Sequence, residues 1–398
     1  MRKILLITLF LVVAVGLLWW YLRPESLPNY GPLYREYAYV TNGKSNTVSV
    51  IDLTPRPLPR FNVVKTIAVG ANPTGVAANN KRNEIYVVNT DSNNVSVIDA
   101  ERNQVVATIG VQGKPFFIDV SPDGKRAYVA NSGSANVSVI DLEKRVVVGN
   151  VRVGVVPGLA RISSDGVTLV VSNRGDGTIS LVDAANLVVR ATVNVCQHPE
   201  DIAILRDASK AFVACSSAGQ VAAVDLKNAR LLALLDVGRT PVDLALKPDG
   251  GELMVMNFDS DNISIIETTT NEVGNSYLIG THPARGVVTA DSSRLYVSNF
   301  GSDNVAVYDI DNGRVIASLP AGSHPDGLAL SASENYLLVL DSGSGDVAVI
   351  GKRKPTRRDP GEYSLQTIVQ VGLQPNNIVI KAFLMPAMAG RDPGFLKH

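Results

Sequence analysis

Both cysteines and one of the four histidines fall inside one stretch, VCQHPEDIAILRDASKAFVACSS, residues 195–217. Taken alone, Cys196, His198, Glu200, Asp201 and Cys215 would be donors for a soft divalent metal or a reactive thiol pair. Two further histidines also precede prolines, at His282-Pro283 and His324-Pro325, with Arg285 and Asp326 just beyond those prolines. Asp243 follows Pro241 by two residues, and Phe258 and Phe300 lie in the segments between. Imidazoles, carboxylates and aromatic walls are the materials of a cofactor or metal pocket. The spacing does not support a metal: no two histidines share a short motif such as His-x-x-x-His, so no metal site is expected. The chain also lacks a serine nucleophile elbow, a His-Glu-x-x-His helix and a glycine-rich phosphate loop. Binding is therefore a better class than catalysis.

What positions these residues is a repeat. "YVTN" at residues 39–42 returns as YVVN, YVAN, VVSN, FVAC, MVMN, YVSN and LVLD, ending at Asn89, Asn131, Asn173, Cys215, Asn257, Asn299 and Asp341. After a first step of 47 every step is 42. A second marker, Pro73, Pro115, Pro157, Pro199, Pro241, Pro283 and Pro325, keeps the same period, and Pro375 follows an eight-residue insertion. One unit reads FFIDVS, PDGK, RAYVAN, SGSA, NVSVIDL and RVVVGNVRV, which is four short strands joined by turns. Four strands in this period mark a β-propeller blade. The chain enters at Tyr37 with strands two to four of a unit and closes with PNNIVIK, a lone first strand. The two fragments complete one blade and hide both edges, which makes eight blades, with seven as the alternative.

These YVTN, VSVID and proline-centred patterns resemble the YVTN-repeat β-propeller family of surface-layer and periplasmic proteins, over residues 37–380. The resemblance implies the fold and is nearly silent on activity; His-Pro is a frequent spelling of this loop in that family. Eight blades is also the count of the haem-binding propeller of periplasmic nitrite reductase, so a cofactor-binding relative is an alternative, as is a lactonase-like hydrolase. No cofactor is expected from the residues themselves.

Ahead of the repeat, Arg2 and Lys3 precede an apolar run over residues 4–22 that ends in Trp19, Trp20 and Tyr21. Its length suits one spanning helix, and the positive start places the N-terminus inside. The run reads as an uncleaved anchor; the rival is a cleaved signal peptide with Ala14-Val15-Gly16 as a poor site. The domains are then residues 1–23 as anchor, 24–36 as linker, 37–381 as propeller and 382–398 as tail. The propeller is expected on the periplasmic or extracellular side. A net charge of zero gives no reason to expect nucleic acid.

Propeller topology puts the loops entering first strands, and the turns between second and third strands, on one face, the top. His198, Glu200, Asp201, Asp243, Phe258, His282, Arg285, Phe300, His324 and Asp326 all belong there, as candidates for contact with a ligand. The plainer reading of the charged residues on first strands is ion pairing between blades. On the bottom, TPRPLPRF (54–61) and GKRKPTRRDPGEY (351–363) carry Arg56, Arg60, Lys352, Arg353, Lys354, Arg357 and Arg358, a basic pad for anionic headgroups or an envelope partner. Cys196 stands where other repeats have glycine and Cys215 where they have asparagine. Two departures in one blade, in an oxidising compartment, point to a disulfide between them.

Overall fold

The computed structural model describes residues 30–56, 58–352 and 363–386. It contains eight four-stranded antiparallel sheets. Blade one joins the two ends of the chain: Pro375–Leu384 is its innermost strand, followed outward by Tyr34–Asn42, Thr47–Asp52 and Val63–Ala68. The innermost strands of blades two to eight are Pro73–Ala78, Pro115–Val120, Pro157–Ile162, Pro199–Ile204, Pro241–Leu246, Pro283–Val288 and Pro325–Leu330. Eight sheets dispose of the seven-bladed alternative.

The sheets form because each unit alternates β-branched residues with turn chemistry. Second and third strands are buried on both faces and read as apolar runs: EIYVVN at Glu84–Asn89 has no exposed residue. Fourth strands face solvent on one side and alternate accordingly, as in Val146–Arg152. From blade two round to blade one, neighbouring blades enclose apolar layers. At the closure, Leu338, Leu340, Val347 and Val349 of blade eight pack with Ala38, Val40, Ile51 and Leu53 of blade one. Polar contacts lock blade one to both neighbours, blade two and blade eight. The Asn376 amide donates to the Pro73 carbonyl (2.9 Å), the Ala332 N–H to Glu36 (2.7 Å), and the buried Lys381 ammonium to the Asn79 carbonyl.

Residues 35–383 form the propeller as one compact unit. In the second unit, Tyr30 stacks on Tyr34 at 4.4 Å and the Met385 N–H donates to the Leu33 carbonyl at 2.8 Å. Residues 1–23, expected as the membrane anchor, lie outside the described residues, as do Arg353, Lys354, Arg357, Arg358 and the end of the tail. Among the described residues no helix is long and apolar enough to cross a membrane.

Candidate functional site

Two backbone devices, repeated in every blade, aim side chains at the channel. The residue before each repeat proline is left-handed: Asn72, Lys114, Val156, His198, Thr240, His282, His324 and Gln374 have φ between 51° and 54°. None is glycine, so each carries a backbone strain of about 1 kcal/mol. The carbonyl of the same residue accepts an N–H from the turn after strand two, as His282 does from Phe300 at 2.9 Å and His324 from Ser342 at 3.1 Å. The loop thus grips its own blade, which offsets the strain. Immediately after the proline, the first strand slips register against the second, between Pro199 and Ile202 in blade five and between Pro283 and Arg285 in blade seven. A bulge at that point turns residues one and two places beyond the proline toward the axis.

The channel lining draws on those two places, on the fourth place beyond the proline (Asp119, Arg161) and on the turn after strand two (Arg174). It encloses a cavity of 620 Å³ in which five carboxylates, Asp119, Glu200, Asp201, Asp243 and Asp326, meet three guanidiniums, Arg161, Arg174 and Arg285. Most of the acids reach across to the next blade. Asp119 accepts the Ile162 N–H (3.1 Å) and Asp201 accepts the Leu244 N–H (3.0 Å). Asp243 accepts the Gly286 N–H (2.8 Å) and pairs with Arg285 at 2.7 Å. Arg161 stands 3.7 Å from Asp201. Burial pushes the carboxyls of Asp119 and Asp201 up, the second with help from the charge of Asp243. Asp243 holds Arg285 all the more firmly protonated. Asp326 is pushed up to about 6 by burial, and its Oδ1 has no hydrogen-bond partner.

At the rim the aromatic residues come together. The His282 ring lies flat on Phe258 (4.5 Å, 4°) and the His324 ring on Phe300 (4.5 Å, 24°). The centroids of the two phenyl rings lie 5.9 Å apart, with the ring planes inclined at 49°. His198 stands apart from this array, 4.0 Å from Glu200 and largely exposed. The three histidines therefore do not converge, and no group of three or more His, Cys, Asp or Glu arranged for a metal occurs among the described residues. Arg56 and Arg60 are exposed in the loop between strands three and four of blade one.

Sequence reasoning passed over Arg174, Phe116 and Phe117. Arg174 lies over the Phe116 ring (4.6 Å) and pairs with Glu200 at 2.7 Å. Arg161 lies over Phe117 at the same distance. The signal was available: Arg174 shares its repeat position with Phe258 and Phe300, one residue past strand two. Gly158 makes room for it, since a Cβ there would sit 2.5 Å from the Arg174 Nε.

The cysteines serve this loop without entering the cavity. Cys196 and Cys215 are joined as a disulfide with Cα atoms 5.7 Å apart, within the usual span. Elsewhere glycine fits tightly against the strand-end residue at the matching position: a Cβ on Gly238 would lie 2.6 Å from that of Asn257. The disulfide makes covalently, in blade five, the contact that close packing makes in other blades.

With this geometry in view, comparison with known proteins agrees on architecture. Residues 9–161, less than half of the chain, match the model of a YNCE-like beta-propeller family. No curated protein matches. Among solved structures, dihydro-heme d1 dehydrogenase NirN in complex with DHE is similar with a TM-score of 0.66 at 15% identity, over 90% of this chain and 76% of that one. Hydrazine synthase of Kuenenia stuttgartiensis is similar with a TM-score of 0.57 at 22% identity, over 68% of this chain and 91% of that one. A functionally unknown protein from Desulfotomaculum acetoxidans gives 0.57 at 17% identity, over 88% and 99%. At such identities the likeness is one of fold alone: the chain is an all-β, eight-bladed β-propeller.

Proposed function

We propose that this protein is a membrane-anchored, extracytoplasmic binding module that takes its ligand in the channel mouth on the top face and works within an envelope complex. The observation that supports this reading most directly is the 620 Å³ cavity with its charged lining. Its volume lies in the range of small-molecule sites, and most of its charged groups come from innermost strands. The apolar run over residues 4–22 is the anchor in this reading. The basic loops of the bottom, with Arg56 and Arg60 exposed, would then face anionic headgroups or an envelope protein at about 1 kcal/mol per cation near the surface. A photo-crosslinking residue at Phe300 on intact cells tests this, with Leu58 on the bottom loop as control. Adducts specific to position 300, on protein that resists alkaline extraction from membranes, are expected. Adducts from position 58 alone, or release of the full chain by alkali, would overturn the proposal.

A cofactor-binding reading takes its motive from the NirN structure, which is a complex with DHE. The lining does not fit a coordinated iron: among the described residues no histidine, cysteine or methionine lines the cavity, and the imidazoles of His282 and His324 are committed face-on to phenyl rings. A visible spectrum of the natively purified full chain separates the two readings, since an absorbing chromophore would favour the cofactor. A lactonase-like hydrolase fits less well, because Asp119, Glu200, Asp201 and Asp243 are each bound to an arginine or a neighbouring amide.

A further inference from the structure

We propose that the ligand of the channel mouth is a small organic cation, its ammonium group held against the rings of Phe258 and Phe300 and by the carboxylate of Asp326. This rests on the reading of the top face as the binding face and names the class of ligand it would take.

The charge balance points the same way as the shape. Of the five carboxylates in the cavity, four are answered within the protein. Glu200 has Arg174 at 2.7 Å, Asp243 has Arg285 at 2.7 Å, and Asp201 has Arg161 at 3.7 Å together with the Leu244 amide. Asp119 accepts two amides, from Val120 and from Ile162. Asp326 has a hydrogen bond with Ser342 but no ion-pair partner among the described residues, and its Oδ1, like that of Asp201, is without a hydrogen-bond partner. Nearby charged groups are few. Arg285 and His324 act on Asp326 only at a distance, and the guanidinium of Arg285 is already bound by Asp243. A cation at Asp326 would complete the pairing, whereas an anion there would meet an uncompensated carboxylate.

The position of Asp326 makes this a site and not only an imbalance. It lines the central cavity and also a recess of 270 Å³ that shares residues with it, walled by Phe258, Phe300, Val242, Ala284, Asn376 and Arg285, whose guanidinium is held by Asp243 at 2.7 Å. The two phenyl rings are tilted and separated, and they do not stack on one another. Each is backed by an imidazole, His282 behind Phe258 and His324 behind Phe300. Rings braced from behind present their remaining faces without further loss of freedom, and the negative face of an aromatic ring attracts an alkylammonium ion. Aromatic faces and a carboxylate lining one recess are the two elements that recognise an organic ammonium, and the larger cavity would receive the rest of the molecule. Because burial holds the Asp326 carboxyl up near 6 in the free protein, binding of a cation should expel a proton at that pH.

Calorimetric titration of the full chain in nanodiscs tests the assignment, with n-butylammonium and tetramethylammonium as probes and butanol and butyrate as uncharged and anionic matches. Saturable binding of the cations is expected, with proton release near pH 6. Asp326→Asn should weaken it at least tenfold without moving the thermal midpoint by more than a few degrees, and Phe300→Ala should weaken it too. Cation binding untouched by both substitutions would place it elsewhere and overturn the proposal. Binding of butyrate that Phe300→Ala removes would overturn the cation assignment while leaving the top face as the binding face. Failure of every probe, charged or neutral, would count against both.

Discussion

Blade eight carries a pair of carboxyls where most other blades carry amides. In blades two, three, six and seven, the asparagine ending strand two donates its amide to the asparagine opening strand three, as Asn299 does to Asn304 at 2.8 Å. Blade eight has Asp341 and Asp346 at these places, both buried, each with an Oδ1 that finds no partner. Burial and the neighbouring Asp346 push Asp341 up to about 8. Its folded value thus lies above its unfolded value, so the unfolded chain loses this proton first as pH rises. Stability should therefore fall progressively between about pH 4 and pH 8. Held over that span, the penalty has a ceiling of about 5 kcal/mol. Local relaxation reduces it, and about 2–4 kcal/mol at pH 8 is the working figure. Asp341→Asn restores the amide donor seen in the sister blades and removes the proton requirement. Thermal unfolding from pH 5 to pH 9 should show a variant that matches the parent at low pH and exceeds it by about 3–5 °C at pH 8. The Gly322 and Ala348 amides that face Asp341 are present in both proteins and cancel. Parallel pH profiles for parent and variant would refute the reasoning.

Three further outcomes follow from the same structure. Reduction of the disulfide between Cys196 and Cys215, which closes a separation of 19 residues, should lower stability by about 2–4 kcal/mol. The double substitution Cys196→Gly with Cys215→Asn, copying Gly238 and Asn257, should recover much of this and make the urea midpoint insensitive to reductant. Gly158→Ala should drive the Arg174 guanidinium off Phe116 and Glu200 and cost about 1–3 kcal/mol, and adding Arg174→Ala should relieve most of it. Asp243→Asn should cost about 1–3 kcal/mol by leaving Arg285 without its closest partner, and Arg285→Gln in the same chain should lessen that loss.

The fold was legible because its information is local and redundant. One proline and one asparagine position recur every 42 residues, and each blade solves the same packing problem with neighbours like itself. The split blade could be read from the two fragments at the chain ends. The lengths of the edge elements could not: Pro375–Leu384 runs to ten residues where other first strands have six, because Phe383 finds a buried place against Tyr37.

The site was legible as a set of positions and not as a set of contacts. Repeat phase places His198, His282 and His324 alike, yet two of them brace phenyl rings and the third stands beside Glu200. The difference lies in the residue each one meets from the preceding blade: Phe258 for His282, Phe300 for His324, and Arg174 ahead of His198. Arg174 passed unnoticed because its partners, Phe116 and Glu200, come from two other blades. The sequence alone determined the repeat period, the blade split between the chain ends and the phase match of the two cysteines, and it favoured eight blades over seven. Only the tertiary structure decided which charges pair, which acid is left over and which rings stack. Period and turn chemistry act within one blade, whereas the channel is a meeting of side chains from eight blades whose separations no single repeat encodes.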